Sequence, residues 1–384
     1  MANKILEEAK RLGPWIAERG NEIEQLRDLP TDIVEAIRPS QAFRMYVPES
    51  LGGPGVSAWD GLEVIEEYGY HDGSASWSVA ISCTSSVVAS FLSEEYAQLI
   101  FGDPMSITGG FIGPMGRARE VDGGLRVSGQ WSWGSGTTHC TWIGGGCIIV
   151  DEDGNPKPRA DGLVAPYVLF DPADVEFLDT WHVSGLAGTG SLDYTTQDAF
   201  VPEGRWVQFG RDAPLRENPF TNFSLFGILS LGIASTSVGI ARRSVAELIT
   251  LATEKKPQGS SRPLGDRMTV QNDVGKAEAM LRSAWVFLED TVETAWENAT
   301  AGNPATDEQK RLLRLAATHA TQTAGEVTKM MYLAGGGAAV YHSSPIQRCF
   351  RDVFVATQHA MIAPRTFEVS GRMRLGLETD TKQL

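Results

Sequence analysis

The sequence predicts an α+β protein in three consecutive parts: an N-terminal helical domain over 1–104, a central β domain over 105–212 and a C-terminal helical bundle over 213–384. Three observations carry this. Apolar residues recur with the helical period through the early part of the chain, beginning with its first twenty residues. From about residue 105 the character changes to short β-type runs punctuated by Gly, Asp-Gly and Pro. After Pro214 the helical pattern returns and persists to the end. A chain of 384 residues is also longer than one hydrophobic core usually supports, which suits several structural units.

Taken in order, "LPTDIVEAIRPS" predicts a helix with Thr31 as N-cap, and "SAWDGLEVIEEYGY" a second with Ser57 in that role. "VPESLGGPG" between them is a turn-rich connector. The β part rests on "GLRVSGQWSW", "CTWIGGGCIIV", "LVAPYVLF" and "LDYTTQDAFV", which form a barrel or a sandwich. Helices are then predicted near 220–255, 268–300, 306–334, 344–362 and 364–375. The stretch from Asn218 to Ala241 carries no charge and is long enough to cross a bilayer. Its Gly227, Gly232 and Gly239 and its many hydroxyls suit a helix packed closely on others, so a buried central helix is expected. Of the two glycine triplets, 144–146 predicts a strand that something approaches closely and 335–337 a break between helices.

Composition excludes several functions. With a net charge of -15 and no run of Lys and Arg, neither nucleic acid nor an anionic membrane is an expected partner. "MANKILEEAKRLGPWIAERG" has charges throughout and no apolar core, so it does not read as a secretory signal, and a cytoplasmic location is expected. Cys83, Cys140, Cys147 and Cys349 form no C-x-x-C pair, which argues against a disulfide framework or a zinc knuckle. His139, Cys140 and Cys147 lack a fourth ligand at useful spacing, so no metal is expected.

"GLAGTG" at 185–190 has the order G-x-x-G-x-G and precedes a β-type run, so it is not a dinucleotide fingerprint. No P-loop, G-x-S-x-G or H-E-x-x-H is present. "GQWSWGSGTTHCTW" gathers Trp131, Trp133 and Trp142 around Ser135 between glycines. Such flat walls suit a planar heterocycle, and the competing reading is a Trp-rich strand packed on the bundle. In "RDVFVATQHAM" the single ionisable residue after Asp352 is His359. Arg351 and Asp352 read as an ion pair that holds their helix in place, and His71, His182, His319 and His342 as structural.

Taken together, "FRMYVPESLGG", "GGLRVSGQWSWGSG", "TWHVSGLAGTGSLDYTTQDAFVPE" and "LAGGGAAVYHSSPIQRCFRDVFVATQH" resemble the acyl-CoA dehydrogenase fold superfamily. Within it the chain resembles the two-component, group D type of flavin-dependent monooxygenase. The resemblance implies an N-terminal helical domain, a central β-barrel and a C-terminal four-helix bundle, assembled as a homotetramer. It places Trp133, Gly134, Ser135 and Gly136 beside the flavin ring and Arg262 at its phosphates, although the family phenylalanine three residues later is Gly265 here. It also implies that Gly335, Gly336 and Gly337 contact flavin across a subunit interface. In the dehydrogenases a glutamate base lies nine residues after the arginine; that position is Ala360, and residues 218–246 contain no Asp or Glu. His359 matches instead the histidine of the oxygenase branch.

The implied reaction uses FADH2 or FMNH2 from a separate flavin reductase and O2, through a C4a-hydroperoxyflavin, to oxygenate an aromatic, heteroaromatic or amine substrate. Ser135 would hydrogen-bond near flavin N5 and His359 would act as general base. Trp77, Ser82, Cys83 and Thr84 are expected in the substrate wall by position. The alternatives are a flavin-dependent acyl-CoA dehydrogenase-like oxidoreductase with an unusual base, and a flavin-binding protein without turnover.

Overall fold

The computed structural model describes residues 2–159, 162–163, 165–257, 261–381 and 384. Six helices come first: α1 (Ala2–Glu18), α2 (Gly20–Leu26), α3 (Thr31–Ile37), α4 (Ala58–His71), α5 (Gly73–Ser85) and α6 (Glu94–Phe101). Ser57 caps α4 as expected, its side chain accepting from the Asp60 N–H. Thr31 does not cap α3: it is the first helical residue, and Pro30 precedes it as a cap with no side-chain bond to give. α5 starts on Asp72, whose carboxylate accepts from the N–H groups of Ser74 and Ala75.

Nine strands follow among the described residues: β1 (Thr108–Val121), β2 (Gly124–Gly134), β3 (Trp142–Ile149), β4 (Pro158–Arg159), β5 (Gly162–Leu163), β6 (Tyr167–Phe170), β7 (Glu176–Leu178), β8 (Leu192–Pro202) and β9 (Trp206–Val207). Seven form one sheet in the order β7-β8-β2-β1-β3-β6-β9. Only β1 and β3 run parallel; the other pairs in the sheet are antiparallel. Among the described residues the main sheet of the central β domain is therefore open instead of a closed barrel, with β4 and β5 paired apart from it. Its end strands, β7 and β9, have three and two residues, which leaves little edge for closure. The triplet at 144–146 is closely approached, as expected. A Cβ on Gly145 would stand 2.7 Å from the Trp131 ring, and one on Gly144 would stand 1.9 Å from the Tyr167 hydroxyl oxygen.

The rest is helical: α7 (Pro219–Asn222), α8 (Leu225–Glu254), α9 (Met268–Thr300), α10 (Asp307–Gly335), α11 (Pro345–Ala356) and α12 (Arg365–Arg374). α8 takes in most of the charge-free segment in its N-terminal half and lies mostly buried, packed on α4, α5, α10 and α11. Its small residues permit this. A Cβ on Gly239 would come within 2.3 Å of the Glu66 carbonyl oxygen of α4, and one on Gly232 would be 3.2 Å from Ala80 of α5. Thr236 of α8 shares a 2.8 Å hydroxyl hydrogen bond with Ser76 of α5. α10 opens with a reciprocal capping box between Thr306 and Gln309.

Candidate active site

The site is built around the end of β2. Strand alternation would put Trp131 and Trp133 on one face, but the register shifts between Trp131 and Gly134 and Trp133 adopts φ +61°. Trp131 stays fully buried, its indole N–H donating to the Gly146 carbonyl at 2.7 Å and its ring stacked on Tyr194. Trp133 turns outward, 61% exposed, with Phe111 beside it at 5.7 Å between ring centroids. Gly136, at φ +66°, then folds the chain back beneath Ser135. The N–H of Gly136 donates to the Thr189 carbonyl at 2.8 Å.

Three predicted residues from distant parts of the chain meet here. Trp77 of α5 donates its indole N–H to the buried hydroxyl of Ser135 at 3.1 Å, and its ring lies 5.8 Å from that of His359. Behind Ser135 runs a file of hydroxyls. Ser135 Oγ is 2.7 Å from Ser191 Oγ, Ser191 Oγ is 2.6 Å from Thr189 Oγ1, and Thr189 donates to the Leu186 carbonyl at 2.8 Å. Leu186 has φ +50° and gives its own N–H to the buried carboxylate of Asp352 at 2.6 Å.

His359 does not sit within a helix. α11 ends at Ala356, several residues short of the predicted end, with Thr357 as its C-cap donating its hydroxyl to the Phe354 carbonyl. His359 instead caps the short turn Ala360–Ile362, with Nδ1 accepting the Met361 N–H at 3.2 Å. An accepting Nδ1 puts the proton of the neutral ring on Nε2. Burial, with the nearby Arg314 charge adding to it, pulls the imidazole down to about 4, so it is neutral at physiological pH. The helix-end carbonyls that would favour the imidazolium are outweighed by desolvation. Arg314 donates to the Met361 carbonyl at 2.7 Å, fixing the same residue that His359 caps.

Other predicted positions are more dispersed. Arg351 and Asp352 are not paired with each other: Arg351 clasps Glu24 at 2.6 Å and Asp352 holds Leu186. Thr84 lies two turns along α5 from Trp77 and so shares its face, bonding to the Ala80 carbonyl. Ser82 and Cys83 point elsewhere around the helix, Cys83 into the core, and the buried Ser82 hydroxyl has no partner among the described residues. Arg262, exposed on the α8–α9 connection, and Gly335 to Gly337 form a second locus. Lys255 links them, its carbonyl accepting from Leu264 and its ammonium donating to Gly335 at 2.8 Å. His139 lies against Gly136, its imidazole lowered to about 4 by burial. Sequence reading passed over Thr189, Ser191, Leu186 and Arg314. The first two stand in "GTGS", part of a segment that carried the family resemblance without either hydroxyl being singled out.

A β sheet whose aromatic turn meets the helices across a hydroxyl-lined seam, with alanine at position 360, is the arrangement that the resemblance to the acyl-CoA dehydrogenase fold implies for a relative without the dehydrogenase base. Comparison agrees. "Acyl-CoA dehydrogenase, N-terminal domain" matches residues 9–100 and "Acyl-CoA dehydrogenase, C-terminal domain" residues 231–364. The chain is 31% identical to indole-3-acetate monooxygenase of Pseudomonas putida over 93% of this chain and 90% of that one. It is 27% identical to the flavin-dependent monooxygenase oxygenase subunit HsaA of Rhodococcus jostii, over 96% and 97%. XiaF from Streptomyces, solved with FADH2 and glycerol, superposes with a TM-score of 0.91 at 25% identity, covering 98% of this chain and 96% of that one. The chain belongs to the acyl-CoA dehydrogenase family, in its branch of flavin-dependent monooxygenases.

Proposed function

We propose that this protein is the oxygenase component of a two-component monooxygenase, taking reduced flavin from a separate reductase, and O2, to oxygenate an aromatic, heteroaromatic or amine substrate. The carrying observation is that the Trp77 indole joins Ser135 to His359 where no carboxylate base stands. The residues suit a flavin. Trp133 offers an exposed indole, Ser135 a buried hydroxyl, and Gly134 and Gly136 a backbone that a ring can approach. Arg262 would reach the phosphates, and Gly336 and Gly337, open to solvent with no atom near their missing Cβ positions, would meet the flavin of a neighbouring subunit. Leu333, Val340 and Tyr341 stand exposed beside that turn, apolar surface of the kind a second copy covers. This supports a homo-oligomer.

Reduced flavin, when bound, supplies the electrons that activate O2. This chain's residues do the rest. Trp77 and Thr84 line the α5 side of the substrate space, and their burial keeps water from it. His359, expected from sequence as a general base, offers Nε2–H as a donor in the tautomer its cap selects. It therefore holds an electron-rich oxygen or nitrogen of the substrate, in anionic form where that is accessible, and orients it for attack. Acting as a base at Nε2 would require the ring to give up the Met361 N–H.

The test has two arms. Conversion of indole-3-acetate or a phenol, dependent on O2 and on reduced flavin from an unrelated reductase, supports the reading. Tightly bound oxidised FAD that bleaches on adding an acyl-CoA would establish the dehydrogenase alternative instead.

A further inference from the structure

The file of hydroxyls behind Ser135 has a direction. One end is an indole N–H, which can only donate, and the other is the Leu186 carbonyl, which can only accept. Between them lie four contacts, at 3.1, 2.7, 2.6 and 2.8 Å, and four hydrogens: one on Trp77 and one each on Ser135, Ser191 and Thr189. All four contacts are hydrogen bonds only if every hydroxyl donates toward Leu186. Reversing any hydroxyl sets two oxygens against each other without a proton between them. Ser135, Thr189 and Ser191 are 6%, 1% and 2% exposed, so water cannot readily repair such a break. The terminal carbonyl is held as well, by the Asp352 bond to the Leu186 N–H and by the Trp181 indole, which donates to the same carbonyl at 3.3 Å.

We infer that Ser191 and Thr189 are positioning residues that fix Ser135 as a hydrogen-bond acceptor, making the site selective for reduced over oxidised flavin. Ser135 gives its proton to Ser191, takes one from Trp77 and retains a single lone pair. A reduced flavin carries N–H at N5, which that lone pair accepts. The oxidised ring has a bare nitrogen there and finds no donor. The inference rests on flavin lying at Ser135, as proposed above.

Anaerobic equilibrium titration of the full-length protein with reduced and with oxidised FAD and FMN tests it. The wild type should bind the reduced form more tightly. Thr189→Val and Ser191→Ala release the file, letting the Ser135 hydroxyl rotate and donate, and should shrink the ratio of oxidised to reduced Kd by roughly 2- to 10-fold, the weight of one hydrogen bond. Thr189→Ser restores the hydroxyl and should restore the ratio. Trp77→Phe removes the donor end without altering the sense of the file, so the ratio should hold within about twofold, the lower edge of one hydrogen bond's weight. A purely structural role would not separate these variants. If Thr189→Val and Ser191→Ala, with folding verified by circular dichroism, keep the wild-type ratio, the file is overturned and the flavin site stands. Equal wild-type affinity for the two redox forms also overturns the file. Failure of the wild type to bind either form overturns the flavin site and the file together.

Discussion

His359 shows how a residue's neighbours redefine its chemistry. Its type and position pointed to a proton acceptor, but the backbone N–H of Met361 occupies Nδ1 and leaves Nε2 as a donor. His359→Ala should therefore cost substrate turnover by roughly 10- to 150-fold, as for a hydrogen bond of about 1.5–3 kcal/mol to a charged group. Reduced-flavin binding should change little, which titration would show. The imidazole is lowered to about 4 by burial, with Arg314 adding to it, so turnover should be level from pH 6 to 8, with any acid limb attributable to His359 near 4. An acid limb near the ordinary histidine value of 6.5 that vanishes in His359→Ala would instead restore the base. For stability the sign is that of a depressed base. The contribution is present above the ordinary value of 6.5 and is lost as pH falls through about 4. Ser135 and His359 were legible as single residues, because glycine flanks one and apolar helix precedes the other. Ser191 and Thr189 were not, since a hydroxyl's partner depends on folding that sequence spacing does not display.

At the level of elements, α11 anchors the loop 184–191 to the bundle. Arg351 donates to the Ser184 carbonyl at 2.8 Å and Asp352 takes the Leu186 N–H. A Cβ on Gly185 would strike the Arg351 carbonyl oxygen at 2.3 Å. Burial raises the Asp352 carboxyl to about 7, with the Asp72 charge adding to it. A raised acid favours the folded state fully below the unfolded carboxyl value and loses that advantage as pH climbs through about 7. Asp352→Asn, neutral throughout, should therefore gain stability relative to wild type on going from pH 4 to pH 8, as measured by chemical denaturation at each pH. The α4–α8 contact is equally specific. Gly239→Ala places a methyl 2.3 Å from a backbone carbonyl and should cost about 1–3 kcal/mol, read from the denaturation midpoint. Most helices were legible to within a few residues because their apolar period is strong. β1 was obscured: "TGGFIGPMGRAREV" mixes Gly and Pro, and Pro114 sits at a register shift, which hides the strand at the middle of the sheet.

Across the whole molecule, the sheet and the bundle are joined at the seam where the candidate site lies. Trp77 belongs to the N-terminal helices, Ser135 follows the end of β2 and Ser191 precedes β8, and Asp352 and His359 lie on the bundle side. The order of these parts was plain from the switch in periodicity, whereas the open sheet was not, since strand runs do not reveal which edges meet. Leu186 is where the parts converge: its N–H is held by a buried carboxylate and its carbonyl by Thr189 and Trp181. A loop amide ordinarily trades its hydrogen for deuterium within seconds. Leu186 should keep its proton on the timescale of the core strands, because releasing it means parting α11 from the sheet. Deuterium uptake followed by mass spectrometry on peptides spanning 184–191 would show this as a slow island in an irregular segment, and Asp352→Ala should turn it fast. That one amide would then serve as a clock for how often the two halves of the site come apart.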